Sequence, residues 1–258
     1  MSMKKFLTVA LSIIAILSAA DARAFQISHM VHEIDPGQTP YSDFYIFNDS
    51  RSEPLHLVIT LRAWKQNEDG SRNLTNTDDI TAFPNLLVIE PGERRKVRIG
   101  LQKALPRDVE HAYRLDVRQL AIDGTAAGSP VPANTVNSAV HFTRSFNMPV
   151  FVRPEMPKQS IAVRAVSDNG NIAMELRNIG NVNVKLRDLA LYQVAGTGST
   201  EPLAAPVSAI RLLAGSRIVV GGISVANLKN VAAVEPHFKV VAGDVDEDRV
   251  GERLQINK

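Results

Sequence analysis

The chain has 258 residues, 45% hydrophobic and 22% charged, with 15 Gly, 14 Pro and no Cys. That is a globular composition, too apolar for disorder, in a length that suits one large domain or two ordinary ones. Without cysteine the chain has no disulfide scaffold, thiol nucleophile, zinc finger or cysteine-ligated iron–sulfur cluster.

Residues 1–24 read as a signal peptide. A basic start (Lys4, Lys5) precedes an apolar run from Phe6 to Leu17, and small residues close on Ala22-Arg23-Ala24. The run is shorter than the ~20 residues of a membrane-spanning helix, so no membrane insertion is expected. Cleavage before Phe25 takes 29 basic and 27 acidic side chains to 26 of each. A product without positive surplus has no counterion-release term for phosphate backbones, and nucleic acid is not expected as a partner.

Past Phe25 the pattern has period two. In Leu55–Trp64 the odd positions Leu55, Leu57, Ile59, Leu61 and Ala63 are all apolar, which places them on one buried strand face. Val97, Ile99 and Leu101 alternate with polar residues or Gly, and so do Tyr113, Leu115 and Val117. Turn signals stand at Pro36-Gly37, Asp69-Gly70, Pro91-Gly92, Asp123-Gly124 and Asn169-Gly170. Short half-buried strands at this density predict all-β sandwiches. The segment from Phe44 through Asn48 to Leu57 resembles that from Met174 through Asn178 to Leu186 at an offset of 130 residues, which favours two sandwiches of one plan. The expected division is a first domain over 25–153, a linker over 154–157 at Pro154-Glu155-Met156-Pro157, and a second domain over 158–258.

No catalytic constellation emerges. There is no Gly-x-Ser-x-Gly elbow, and no enzyme activity or cofactor is expected. His29, His32, Glu33 and Asp35 form the best metal-like cluster, but their spacing converges only on a helix. In an extended segment they read as solvated edge-strand side chains, and no metal site is expected. Gly196-Thr197-Gly198-Ser199 lacks the Lys and the helix of a phosphate loop and reads as a turn. Trp64, Tyr41 and Tyr45 could form a carbohydrate platform; a core or rim role for the tryptophan is favoured.

The unusual region follows Asp123. A run of small, polar and Pro residues leads into a strand whose even positions are Val140, Phe142, Arg144, Phe146, Met148 and Val150. That apolar face either covers the first domain's core or is turned toward a partner. Pro149 cannot donate to a ladder, which suggests an edge or a bulge, and an apolar edge strand is suited to strand addition.

Three motifs then line up. The stretch Phe83–Ile99 (FPNLLVIEPGERRKVRI), Ala112-Tyr113-Arg114-Leu115 and Phe151-Val152-Arg153-Pro154 resemble, in order, segments of the PapD-like periplasmic chaperones of the chaperone/usher pilus pathway. The resemblance covers most of the first domain and looks closest to the archaic branch. It implies two immunoglobulin-like sandwiches set at an angle, and a non-enzymatic role without cofactor. Such chaperones bind and cap a pilus subunit by lending it a strand and deliver it to an outer-membrane usher; self-association of the free edge is a further expectation. By position the donors would be Val140, Phe142, Phe146 and Met148. The basic pair that grips the subunit's C-terminal carboxylate in the best-known members is replaced here by His32 and Pro149, which leaves Arg114 as the candidate anchor; Arg153 reads as a hinge residue. The competing reading is a structural surface-fibre subunit or adhesin with immunoglobulin-like domains, and a periplasmic hydrolase stands third.

Overall fold

The computed structural model describes residues 25–120, 143–168, 170–194, 202–224, 233–242, 245–252 and 254–255. The expected signal segment, Asp123-Gly124, Asn169, Val140, Phe142 and Gly196–Ser199 lie outside them. Every regular element among the described residues is a β-strand.

The first sandwich has one sheet of β1 (Phe25–Ile27), β3 (Tyr41–Asn48), β8 (Arg94–Leu101) and β6 (Ile80–Phe83), in that spatial order. The facing sheet runs β2 (His32–Ile34), β10 (Ser145–Val152), β9 (His111–Gln119), β4 (Leu55–Gln66) and β5 (Arg72–Asn76), with β7 (Leu86–Ile89) also on β4. All its pairings are antiparallel except that of β10 with β2. Alternation explains the core. Leu55, Leu57 and Ile59 are buried, with Leu61 and Ala63 packed at the margin, and they meet Val97, Ile99, Tyr113, Leu115 and Val117 from both sheets.

The second sandwich sets β11 (Ile161–Asp168), β12 (Asn171–Asn178) and β15 (Arg217–Ser224) against β14 (Val207–Leu212), β13 (Val184–Val194), β16 (Ala233–Ala242) and β17 (Val245–Val250), with β18 (Leu254–Gln255) also on β16. Its core holds Val163, Ile172, Leu176, Leu186, Ile218 and Phe238. No regular strand occurs between Val152 and Ile161. That connection packs closely: a Cβ on Gly180 would stand 2.3 Å from the Lys158 carbonyl oxygen, so only glycine fits.

The two sandwiches share one internal device, at the offset seen in the sequence. Asn48 closes β3 and is buried. Its Nδ2 donates to the carbonyls of Glu53 (2.9 Å) and Ile89 (2.8 Å), and its Oδ1 accepts the Ser50 N–H. Asn178 closes β12 and is also buried. Its Nδ2 donates to Val182 (2.8 Å) and Leu212 (3.2 Å), and its Oδ1 accepts the Gly180 N–H. The backbone agrees: the Asn48 N–H donates to Glu93 and the Asn178 N–H to Ser216, each just after a turn whose glycine (Gly92, Gly215) has positive φ. A buried carboxamide that satisfies carbonyls on two other segments fixes where strands end and cross.

Candidate functional site

The open edge lies on β10. Its inner side is fully paired, from Ser145 opposite Arg118 to Val152 opposite His111. Its outer side meets β2 only at Val150–Val152, opposite His32–Ile34. Among the described residues no strand lies beyond Ser145–Pro149. The Gln119 N–H donates to the Arg144 carbonyl at 2.9 Å, which sets the phase of the ladder. Even-numbered residues of β10 therefore bond to β9, and the backbone groups of Ser145, Asn147 and Pro149 point outward. Pro149, which has no N–H, sits where β9 requires none.

The side chains divide differently from the expected donor set. Met148 is 0% exposed, with Val150 beside it in the first sandwich's own core. Its inclusion among donors is thereby corrected: the even face of this strand turns inward to cover its own domain. Phe146 is half-buried at the margin of that core, edge-on to the Phe25 ring with centroids 5.0 Å apart. The two remaining donor candidates, Val140 and Phe142, are outside the described residues.

Phe151, on the odd face of β10, and Ala112, on the outer face of β9, pack at the meeting with the second sandwich. Trp64, Phe151 and Leu213 form a small buried cluster at this seam, edged by Leu74 and Ala112. Sequence reasoning missed Phe151, although the unbroken apolar run Val150-Phe151-Val152 carries the pattern of a strand buried on both faces. Arg114 lies over Trp64, 4.9 Å from the ring centroid, and only 7% of it is exposed. Its Nε donates to Asn147 Oδ1 (2.6 Å) and its Nη2 to the Asn147 carbonyl (2.8 Å), so it grips the open part of β10. Burial, then the fields of Arg72 and Arg211, push its guanidinium down to about 10. Arg211 stacks over Phe151 and donates to Asn183 Oδ1. Glu110 accepts from the Asn183 backbone and side chain, and its burial raises its carboxyl above the usual range. A hollow of about 420 Å³ opens here, lined by Glu33, Glu110, Arg153, Lys185 and Arg211 among others. The arrangement is a junction rich in positive charge beside an unpaired strand edge.

The remaining candidates separate. His32 is not solvated as expected. It is 1% exposed, its ring lies 5.0 Å from that of Phe44, and Nδ1 is 3.2 Å from Ser42 Oγ, with Nε2 unpartnered. The cause is its pairing with Val150, which turns the ring inward beside Ile34. Trp64 belongs to the seam while Tyr41 and Tyr45 line the outer face of the other sheet, so no platform forms. Arg153 approaches Glu33 at 3.5 Å, just past the end of β10. Among the described residues no three His, Asp or Glu side chains could hold a metal, and no helix is long and apolar enough to cross a membrane.

Residues 34–158 match the family described as pili and flagellar-assembly chaperone, PapD N-terminal domain. The first sandwich is a PapD-like chaperone domain. The matched segment runs from the end of β2 through β10 into the linker, so the half-open strand lies inside the PapD-like part. No curated protein matches the chain. Solved structures extend the likeness to both sandwiches. One is a chain of the CsuC–CsuE chaperone–tip adhesion subunit pre-assembly complex from archaic Csu pili of Acinetobacter baumannii, with TM-score 0.62 and 16% identity over 89% of this chain and 98% of that one. Others are the class 5 fimbriae chaperone CfaA (0.57, 10%, covering 88% and 99%) and the Pseudomonas aeruginosa CupB2 chaperone (0.51, 13%, covering 88% and 99%). At these identities the likeness is one of fold: two sandwiches, as in those proteins.

Proposed function

We propose that this protein is a periplasmic chaperone that captures pilus subunits by lending them a strand and passes them to an outer-membrane usher. The observation that carries the reading is the outer edge of Ser145–Pro149, on which no strand lies among the described residues. An added strand gains backbone hydrogen bonds there, each worth about 0.5–1.5 kcal/mol net, while apolar side chains from the donor fill the subunit's exposed core. The family match of the first sandwich and the two-domain fold support this role.

Met148 is committed to its own core, so the lent side chains are Val140 and Phe142, with Phe146 at the boundary. Arg114 remains the candidate anchor for a subunit's terminal carboxylate: Arg72 and Arg211 leave it in positive surroundings that an anion would relieve. No nucleotide, metal or bond-making step enters the proposal, because completing the subunit's fold drives capture. A free edge of this kind is also expected to pair with a second copy when no subunit is present.

The test is co-expression with a pilin from the same pathway. Phe142→Glu is expected to keep the circular-dichroism spectrum and melting temperature of the parent yet to yield no one-to-one complex. Met148→Glu is expected to unfold the first sandwich with or without subunit. A Phe142→Glu protein that still co-purifies with the pilin would overturn the donor assignment.

A further inference from the structure

The hairpin of β4 and β5 reaches beyond the first sandwich and attaches to the second in a way the covalent linker does not require. At its root the Gln66 carboxamide behaves like a peptide unit of a neighbouring strand. Its Nε2 donates to the Arg211 carbonyl (2.9 Å) and its Oε1 accepts the Leu213 N–H (3.1 Å), at the end of β14. At its tip the Glu68 carbonyl accepts the Val219 N–H at 2.9 Å, one rung of a ladder on β15. Among the described residues β15 pairs only with β12 within its own sheet. The Glu68 carboxylate also receives Arg217 Nη1 (2.9 Å). Arg217 continues to the buried Glu175 (2.6 Å), which receives Arg164 Nε on its other oxygen (2.7 Å). The turn is held in shape by its own bonds: Gly70 N–H to Asn67, Asn67 N–H to Ser71, and Ser71 N–H to Asp69 Oδ1. Gly70 has a φ of 79° that a side chain would strain.

We propose that this hairpin is an interdomain latch, in which Gln66 and Glu68 dock on strand edges of the second sandwich and fix its orientation. Two domains joined by one linker and a small interface move relative to each other by default. Further attachments, among them the latch, the Glu110–Asn183–Arg211 cluster, the bonds of Asn181 to Asp108 and Glu110, and the Trp64–Phe151–Leu213 contact, remove the freedom that the linker leaves. The ladder bonds to backbone are insensitive to salt, while the Glu68–Arg217 pair is exposed and screened. This inference does not depend on strand lending.

The chain has no native cysteine, so a label pair can be placed freely. Ser52→Cys and Ser208→Cys, exposed on the first and second sandwich, carry spin labels for pulsed distance measurement. In the full chain, the double variant Gln66→Ala/Glu68→Ala is expected to broaden the distance distribution, with sheet content unchanged. Amide exchange at Leu213 should accelerate about tenfold or more as that group loses its acceptor, and exchange at Val219 should accelerate as the hairpin that carries its acceptor, the Glu68 carbonyl, detaches. Gln66→Glu keeps the acceptor for Leu213 but loses the donor to Arg211, and should fall between parent and double variant. An unchanged distribution in the double variant, or a Leu213 amide protected as in the parent, overturns the latch.

Discussion

His32 has to be neutral in the folded chain. Burial, with the charge of His29 second, lowers it to about 4. Above the ordinary value near 6.5 the ring is neutral folded or unfolded, and it adds no pH dependence. Below that, the unfolded chain takes up a proton that the folded chain refuses, so stability falls from about pH 6.5 to about pH 4 and then levels. The loss attributable to this one ring is about 3 kcal/mol. Urea unfolding of the parent and His32→Gln at pH 7.5 and 4.5 should show the variant losing less on acidification; equal losses would remove His32 from the account. Arg114 calls for a different measurement, because it grips Asn147 and is also the proposed carboxylate anchor. The parent should bind a subunit more weakly, by about 1.5–3 kcal/mol, once the subunit's C-terminus is amidated, whereas Arg114→Gln should bind both forms alike. These two residues also mark where the sequence was legible. The period-two pattern names the inward residues of β4, β8 and β9, because strand geometry alone decides them. It misreads His32, because which face of a three-residue strand is buried depends on the partner strand, over a hundred residues away.

At the scale of the strand, β10 divides its length between two duties. Among the described residues Val150–Val152 is closed on both sides, and Ser145–Pro149 on one. Phe146, Met148 and Val150 share one apolar face, but its direction is not legible in the sequence, since own core and partner groove require the same residues. Met148→Ala should therefore cost stability of the isolated protein, about 2–5 kcal/mol by denaturant titration. Pro149 governs the edge rather than the core. Replacing it with Thr restores an outward N–H at the one position of the open stretch that lacks it. The variant should fold normally and self-associate about two- to tenfold more tightly in sedimentation equilibrium, the worth of one added hydrogen bond. Unchanged association would mean that β10 pairs with nothing at that edge.

For the molecule as a whole, the order of three short motifs in the first sandwich points to the architecture, and the PapD-like match falls on that half. The seam was not legible. Trp64, Phe151, Leu213, Glu110 and Asn183 come from segments far apart, and nothing local to any of them announces the others. What the sequence did carry across the seam was the repeated asparagine. Removing either carboxamide strands two buried carbonyls, so Asn48→Ala and Asn178→Ala should each destabilise by about 2–4 kcal/mol. Because one device is present twice, those substitutions form a matched pair within a single chain. The identical lesion can be inflicted on either half, and the difference in how the other half melts measures what each borrows from its neighbour.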